Sequence, residues 1–239
     1  LIILVASMPF ETAWISSQLS CPRHILLGKF TALQGSLNGV KVLIFHLGVG
    51  KTNAAHGTTL LLEKFYPRLM LLIGCCGAYR GSGLQPGDVA IANKEIFGEE
   101  GVITQQGWRS THFLNLPLLR KGDRAYYNSF EMDQAVLNKA HGILQKFNPK
   151  IGPFITISEV SGTQQKAEEM EQRFHGICEN MEGAAVAQLC TLYDVPFLEV
   201  RGISNLVKER NRDEWDLSAA TNICQQAALA LAVHWGEDA

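Results

Sequence analysis

Six short apolar runs punctuate the chain: LIILVA (1–6), KVLIFHL (41–47), LMLLIG (69–74), DVAIAN (88–93), PFITIS (153–158) and PFLEVRG (196–202). Runs of this length, rich in Val, Ile, Leu and Phe, suit strands buried on both faces. Between them lie helical patterns at about 11–20, 50–66, 132–147, 163–175, 182–193 and 217–235. Strands that alternate with helices build βαβ units, in which helices cover a sheet. The expected fold is therefore α/β: one three-layer domain over residues 1–239, with a mostly parallel central mixed sheet flanked by helices. No internal repeat or low-complexity linker interrupts the pattern. The longest irregular stretch, 97–130, carries Trp108, Phe113, Tyr126 and Tyr127 and reads as a lid, a subunit contact or both. Loops beyond about 15 residues are uncommon in compact domains and tend to be functional or disordered.

Charge narrows the partners. With 21 Lys and Arg against 23 Asp and Glu, the net charge of −2 offers no basic footprint for nucleic acid and no acidic tail. A small neutral or polar ligand is expected instead. The six cysteines, at 21, 75, 76, 178, 190 and 224, form no CxxC pair and no spacing with His that suits zinc, so neither a metal nor a cofactor is expected. Reduced thiols fit a cytoplasmic protein. LIILVA has no basic segment before it and is too short for a signal's apolar core, and no stretch reaches the roughly 18 to 20 apolar residues that span a membrane.

Chemistry-bearing residues gather where the apolar runs end. HLGVGKTNAA (46–55) follows one run and opens a helix, but Phe45 stands where a phosphate loop needs its first glycine. G-x-G before a helix is weak evidence for any nucleotide, although its glycines let backbone amides approach a ligand or a neighbouring strand. In LLIGCCGAY (71–79), Gly74, Cys75 and Gly77 serve either tight packing or a ligand; the vicinal cysteines have no basic neighbour to activate them. VRGISN (200–205) brings Arg201, Ser204 and Asn205 to a third strand end, where turn chemistry and function compete. Ligands of open α/β sheets collect beyond the carboxyl ends of strands, and Glu11 lies close after the first. In ENMEGAAVAQLC (179–190), Glu182 stands before an otherwise apolar helix. It is either a first-turn carboxylate favoured by the helix dipole or a grip for a polar ligand.

Taken in order and spacing, MPFETA, GVGKTNAA, GCCGA, LQPGDV, NMEGAAVAQLC and VPFLEVRGISN resemble the purine nucleoside phosphorylase and nucleosidase superfamily over essentially the whole chain. The likeness is strongest to its hydrolytic branch, which includes 5'-methylthioadenosine/S-adenosylhomocysteine nucleosidases. Within that branch, RGISN followed by ERNRDEW turns it toward the futalosine hydrolases of menaquinone biosynthesis. The resemblance implies that Glu11 activates water, that Met181 and Glu182 hold the ribose hydroxyls, and that Asn205 occupies the place of a proton-donating Asp. It also implies that Val160 and Ser161 lie beside the purine and that Cys75 and Gly77 wall the sugar; Arg201 and Ser204, from the polar cluster at the third strand end, are expected to bind substrate too. Cleavage of an N-glycosidic bond builds positive charge on the ribose, which calls for anions near the sugar, a base for water and a donor for the purine. Leu72 stands where a phosphorylase is expected to carry a phosphate-binding Arg, so hydrolysis is favoured over phosphorolysis. A non-catalytic nucleoside-binding module would have no need for Glu11. The implied assembly is a homodimer or higher homo-oligomer.

Overall fold

Each of the six apolar runs forms a strand because its side chains have apolar neighbours on both faces. The computed structural model describes residues 1–236. In chain order these are β1 (Ile2–Ala6), a 3-10 turn (Pro9–Glu11), α1 (Ala13–Ser17), β2 (Ser20–Leu27), β3 (Phe30–Leu37), β4 (Val40–His46), α2 (Lys51–Leu62), β5 (Leu69–Ala78) and β6 (Val89–Phe97). Two small hairpins follow, β7 (Gly101–Thr104) with β8 (Gly107–Ser110) and β9 (Leu119–Lys121) with β10 (Arg124–Tyr126). The chain continues through β11 (Ser129–Glu131), α3 (Gln134–Leu144), β12 (Lys150–Thr156), α4 (Gln164–Phe174), β13 (Cys178–Asn180), α5 (Gly183–Leu192), β14 (Phe197–Leu206) and α6 (Leu217–Gly236).

Ten strands make one mixed sheet, ordered β11-β6-β12-β13-β5-β1-β4-β3-β2, with β14 pairing both β5 and β6. The parallel pairings expected from the βαβ pattern hold at its centre, where β4, β1, β5 and β14 run side by side. Besides the short strand β11 against β6, antiparallel pairing enters at two places that the apolar runs do not announce. One is the edge hairpin β2–β3, paired onward to β4. Its first strand, SCPRHILL, is exposed along most of its length and carries Pro22, which an edge strand tolerates. The other closes a ring: β5, β14, β6, β12 and β13 pair in succession and return to β5.

The ring depends on β5 changing partners. Leu69–Leu72 pair with β1, whereas Gly77 and Ala78 pair with β13. The small residues Gly74, Cys75 and Gly77 fall where the strand leaves one neighbour for the other, so the crevice opens there. Ile3, Leu4, Val5, Leu71, Leu72, Ile73, Leu198 and Val200 are fully buried and fill the sheet centre. Burial of side chains of this size contributes roughly 1.5–3 kcal/mol each. Helices α2 and α5 pack on one another, and α6 packs against β14 and β5. No helix among the described residues is long and apolar enough to cross a membrane.

Candidate active site

Helix α5 begins at Gly183 because its first amide groups are satisfied from the preceding strand. The Asn180 side chain accepts hydrogen bonds from the N–H groups of Glu182 (2.9 Å) and Gly183 (2.7 Å), and Thr156 Oγ1 accepts from Ala184 N–H (2.7 Å). This local capping fixes Glu182 at the N-cap position without using its carboxylate, which makes no capping bond. The carboxylate reaches outward instead. Glu182 Oε1 accepts from Gly50 N–H at the start of α2 (2.9 Å), and Oε2 pairs with Arg201 Nη2 (3.4 Å). The glycines of HLGVGKT thus supply a backbone donor to a carboxylate rather than a cradle for phosphate.

Glu11 ends the 3-10 turn that follows β1 and is buried. Its two oxygens are held separately: Oε1 accepts from Cys75 N–H and Oε2 from Met8 N–H, both at 2.9 Å. Burial raises its pKa above the ordinary glutamate value, against the pull of Arg201 and the two backbone donors, while the Glu182 charge adds to the rise. Such a carboxyl is a stronger base than an exposed one. Gly74 makes the arrangement possible, since a Cβ there would lie 2.5 Å from both Glu11 Oε1 and Arg201 Nη1.

Arg201, at 1% exposure, is the cation of this group. It donates through Nε to Glu199 Oε1 (2.8 Å) and through Nη1 to the Cys75 carbonyl (3.4 Å), besides its contact with Glu182. Beneath it, Glu199 lies against Glu95, whose carboxyl accepts from Asn180 Nδ2 (2.7 Å) and Thr156 Oγ1 (2.6 Å). Burial and the Glu199 charge drive the Glu95 pKa well up. One arginine therefore holds a cluster of carboxyls together, and Glu11 and Glu182 face the crevice from it. The Cys75 thiol beside them is raised by burial and by Glu11, which leaves it without nucleophilic character.

The far side of the crevice is less charged. Ser204 Oγ lies 3.1 Å from the Cys76 carbonyl and 2.7 Å from Asn205 Oδ1, and Asn205 Nδ2 donates to the Leu206 carbonyl (3.2 Å). Gly77 sits across the sheet from Asn205 on β14 and from Glu179 on β13. Glu179 Oε2 accepts from Tyr79 OH (2.9 Å) and Oε1 from Ser161 N–H (3.1 Å).

All ten residues expected at the substrate site, Glu11, Cys75, Gly77, Val160, Ser161, Met181, Glu182, Arg201, Ser204 and Asn205, line this one cavity of about 300 Å³. That is the lower end of the usual range for small-molecule sites. The buried hydroxyls of Ser7 and Ser161 also lie at the cavity. Met8, Phe10, Val49 and Val160 are 40–48% exposed and form an apolar rim. Leu72 is fully buried in β5 and away from the cavity. Three participants were missed from the sequence. Glu199 read there as a strand residue, Glu95 lay just beyond the run 88–93, and Glu179 read as the approach to α5; each is a carboxylate inside an apolar run or next to one, and that was the available signal.

The stretch 97–130 does not act as a lid over its own cavity: none of its residues lines the wall. Trp108 packs edge-on against Phe174 of α4 (5.3 Å between centroids), with Arg173 over its ring.

A profile of the Phosphorylase superfamily matches residues 1–234, and the chain belongs to that superfamily. Curated relatives narrow the assignment. The chain is 31% identical over 207 residues to the 5'-methylthioadenosine/S-adenosylhomocysteine nucleosidase of Maridesulfovibrio salexigens, covering 86% of each chain. It is 30% identical over 204 residues to the enzyme of that name from Staphylococcus haemolyticus, covering 85% of each. It is thus a member of the nucleosidase branch, whose enzymes are hydrolases acting on N-glycosidic bonds. Solved structures share the fold. The methylthioadenosine/S-adenosylhomocysteine nucleosidase of Neisseria meningitidis in complex with methylthio-immucillin-A superposes with a TM-score of 0.83 at 21% identity, over 96% of this chain and 97% of that one. The futalosine hydrolase of Helicobacter pylori does so with a TM-score of 0.83 at 18% identity, over 98% and 97%.

Proposed function

We propose that this enzyme hydrolyses the N-glycosidic bond of a 6-oxopurine nucleoside, with futalosine as substrate and hypoxanthine as the released base. The observation that carries the reading is Asn205: a neutral amide shares the cavity with Glu11 and Glu182 at the place where the resemblance to the adenine-releasing nucleosidases implies an Asp. An amide can donate to the O6 of hypoxanthine and accept from a protonated N7, whereas a carboxylate would set acceptor against acceptor at O6.

In the reaction, Glu11 takes a proton from water as the water oxygen bonds to C1' of the ribose, and the C1'–N9 bond breaks. The departing base takes up a proton at N7 from solvent water, and Asn205 Oδ1 accepts from that N7–H, while Glu11 returns its own proton to solvent. Glu182 accepts from the ribose 2' and 3' hydroxyls, and charge-assisted bonds of this kind are roughly twice as strong as neutral ones. Positive charge developing on the ribose is met by both glutamates. Met181, on the cavity wall, packs against the sugar face, and the apolar rim receives the 5' substituent.

A second reading, hydrolysis of methylthioadenosine or S-adenosylhomocysteine, is favoured by the names of the curated relatives. The two separate cleanly. Futalosine, its 6-amino form and methylthioadenosine are assayed side by side, with and without phosphate, for free base and free sugar. The 6-oxo reading expects futalosine to be cleaved fastest at a phosphate-independent rate, and Asn205→Asp to shift selectivity toward the 6-amino substrate by about tenfold or more. Methylthioadenosine cleaved as fast as futalosine overturns it in favour of the second reading. A sugar 1-phosphate product overturns hydrolysis.

A further inference from the structure

Glu179 is a buried carboxylate on the cavity wall for which the chemistry above has no use. A wall carboxylate with only a structural task would have its lone pairs occupied. Glu179 has one donor on each oxygen, the Tyr79 hydroxyl and the Ser161 N–H, which leaves one lone-pair site on each. The neighbouring Ser161 hydroxyl is buried beside it and also lines the cavity.

The placement is informative. Glu179, Gly77 and Asn205 lie in one row across three adjacent strands, β13, β5 and β14. Cross-strand neighbours present their side chains to the same face of a sheet. Two strand spacings separate Glu179 from Asn205, roughly 10 Å at about 4.8 Å each. That span accommodates a flat bicyclic base with a hydrogen bond at either end. Gly77, between them, contributes no side chain, and a Cβ there would lie 3.2 Å from Asn205 Nδ2 and 2.8 Å from Val207 Cγ2. The base can therefore lie over the backbone of β5.

Resting on the 6-oxopurine reading, we infer that Glu179 is a specificity-determining residue that accepts the N1–H of the base while Asn205 serves N7 and O6. Burial raises the Glu179 pKa, against the pull of the Ser161 and Tyr79 donors; once ionised, the carboxylate can accept at N1. A 6-aminopurine carries an unprotonated N1, so the same carboxylate would meet a lone pair. Glu179 and Asn205 thus reject the 6-amino base at two separate positions, and Tyr79 and the Ser161 amide hold the Glu179 side chain in register.

The test has two arms. In the first, the ratio of kcat/KM for futalosine to that for its 6-amino form is measured in wild type and in Glu179→Gln. The ratio is expected to fall about tenfold or more in the variant, with the loss concentrated in the 6-oxo substrate. A merely structural role would lower both substrates alike and leave the ratio unchanged, which would overturn the inference. The second arm uses the wild-type enzyme and does not depend on how the variant folds. 1-Deazahypoxanthine, which lacks the N1–H, should inhibit about tenfold or more weakly than hypoxanthine, and equal inhibition overturns the inference. Wild-type preference for the 6-amino substrate would overturn the 6-oxopurine reading and the inference with it. Wild-type 6-oxo preference with an unchanged ratio in the variant would overturn the inference alone.

Discussion

Replacement of Glu11 by Gln keeps shape and removes charge. As a base, Glu11 is expected to supply about 10²- to 10⁴-fold of the rate. At 1.36 kcal/mol per tenfold, that is about 3–5 kcal/mol of barrier. The stability change is smaller because two effects oppose one another. Glu11 accepts one backbone N–H on each oxygen, and Gln can accept only one of them. The other donor is left facing an NH₂ group, which costs about 1–3 kcal/mol. Against this, Gln removes a carboxylate whose burial disfavours its charged form. Arg201 stays paired with Glu182 and Glu199. A net change of about 1 kcal/mol corresponds to a Tm shift of roughly 2–4 °C for a chain of this size. The sign with pH follows from the raised pKa. A carboxyl whose folded pKa lies above its unfolded value stabilises the fold most at low pH, and that contribution is lost as pH rises from about 4.5 through the folded pKa. The Tm of wild type minus that of Glu11→Gln should therefore shrink as pH rises through that window. Wild-type kcat/KM should show an acid limb above pH 4.5, since the base must be ionised, and the variant should lack it. Steady-state kinetics and thermal melts across pH check both. A variant with kcat within tenfold of wild type refutes the assignment of Glu11 as the base.

Gly74→Ala should cut kcat/KM by tenfold or more, because its Cβ would displace Glu11 Oε1 and Arg201 Nη1 together. Overpacking of about 1–3 kcal/mol should lower Tm as well; unchanged kinetics would show that the two side chains can part without consequence. Gly183→Ala places a methyl against the Glu95 and Glu199 carboxyls and should destabilise the fold by a comparable amount, measured as a lower denaturation midpoint. Trp108→Ala should lower stability by at least the 0.5–1.5 kcal/mol of an aromatic pair while leaving KM within about twofold, since Trp108 packs on Phe174 and not on the cavity. A tenfold rise in KM would instead mean that the 97–130 stretch of a second copy reaches the substrate.

Local sequence determined the strands and helices whose signals are local. The six apolar runs became β1, β4, β5, β6, β12 and β14 because burial on both faces leaves a continuous run of large side chains in the chain itself. Helix α5 was legible because Asn180, just before it, caps it from within the same segment. That Glu11, Arg201 and Asn205 gather at one crevice was legible from the ends of the apolar runs, and Glu182 from its place before α5, since ligands of α/β sheets collect beyond the carboxyl ends of strands. The exposed hairpin β2–β3 was not, because an edge strand that buries little need not be apolar. Neither was the closure of the sheet into a ring, which joins β14 to β6 and β13 to β5 across 100 residues of sequence or more. Only that closure gives Glu182 its partner Arg201, puts Glu95 against Glu199, and sets Glu179 and Asn205 on either side of Gly77. The protonation state and reach of a buried carboxyl depend on charges and donors brought by distant strands, and no window of sequence contains them.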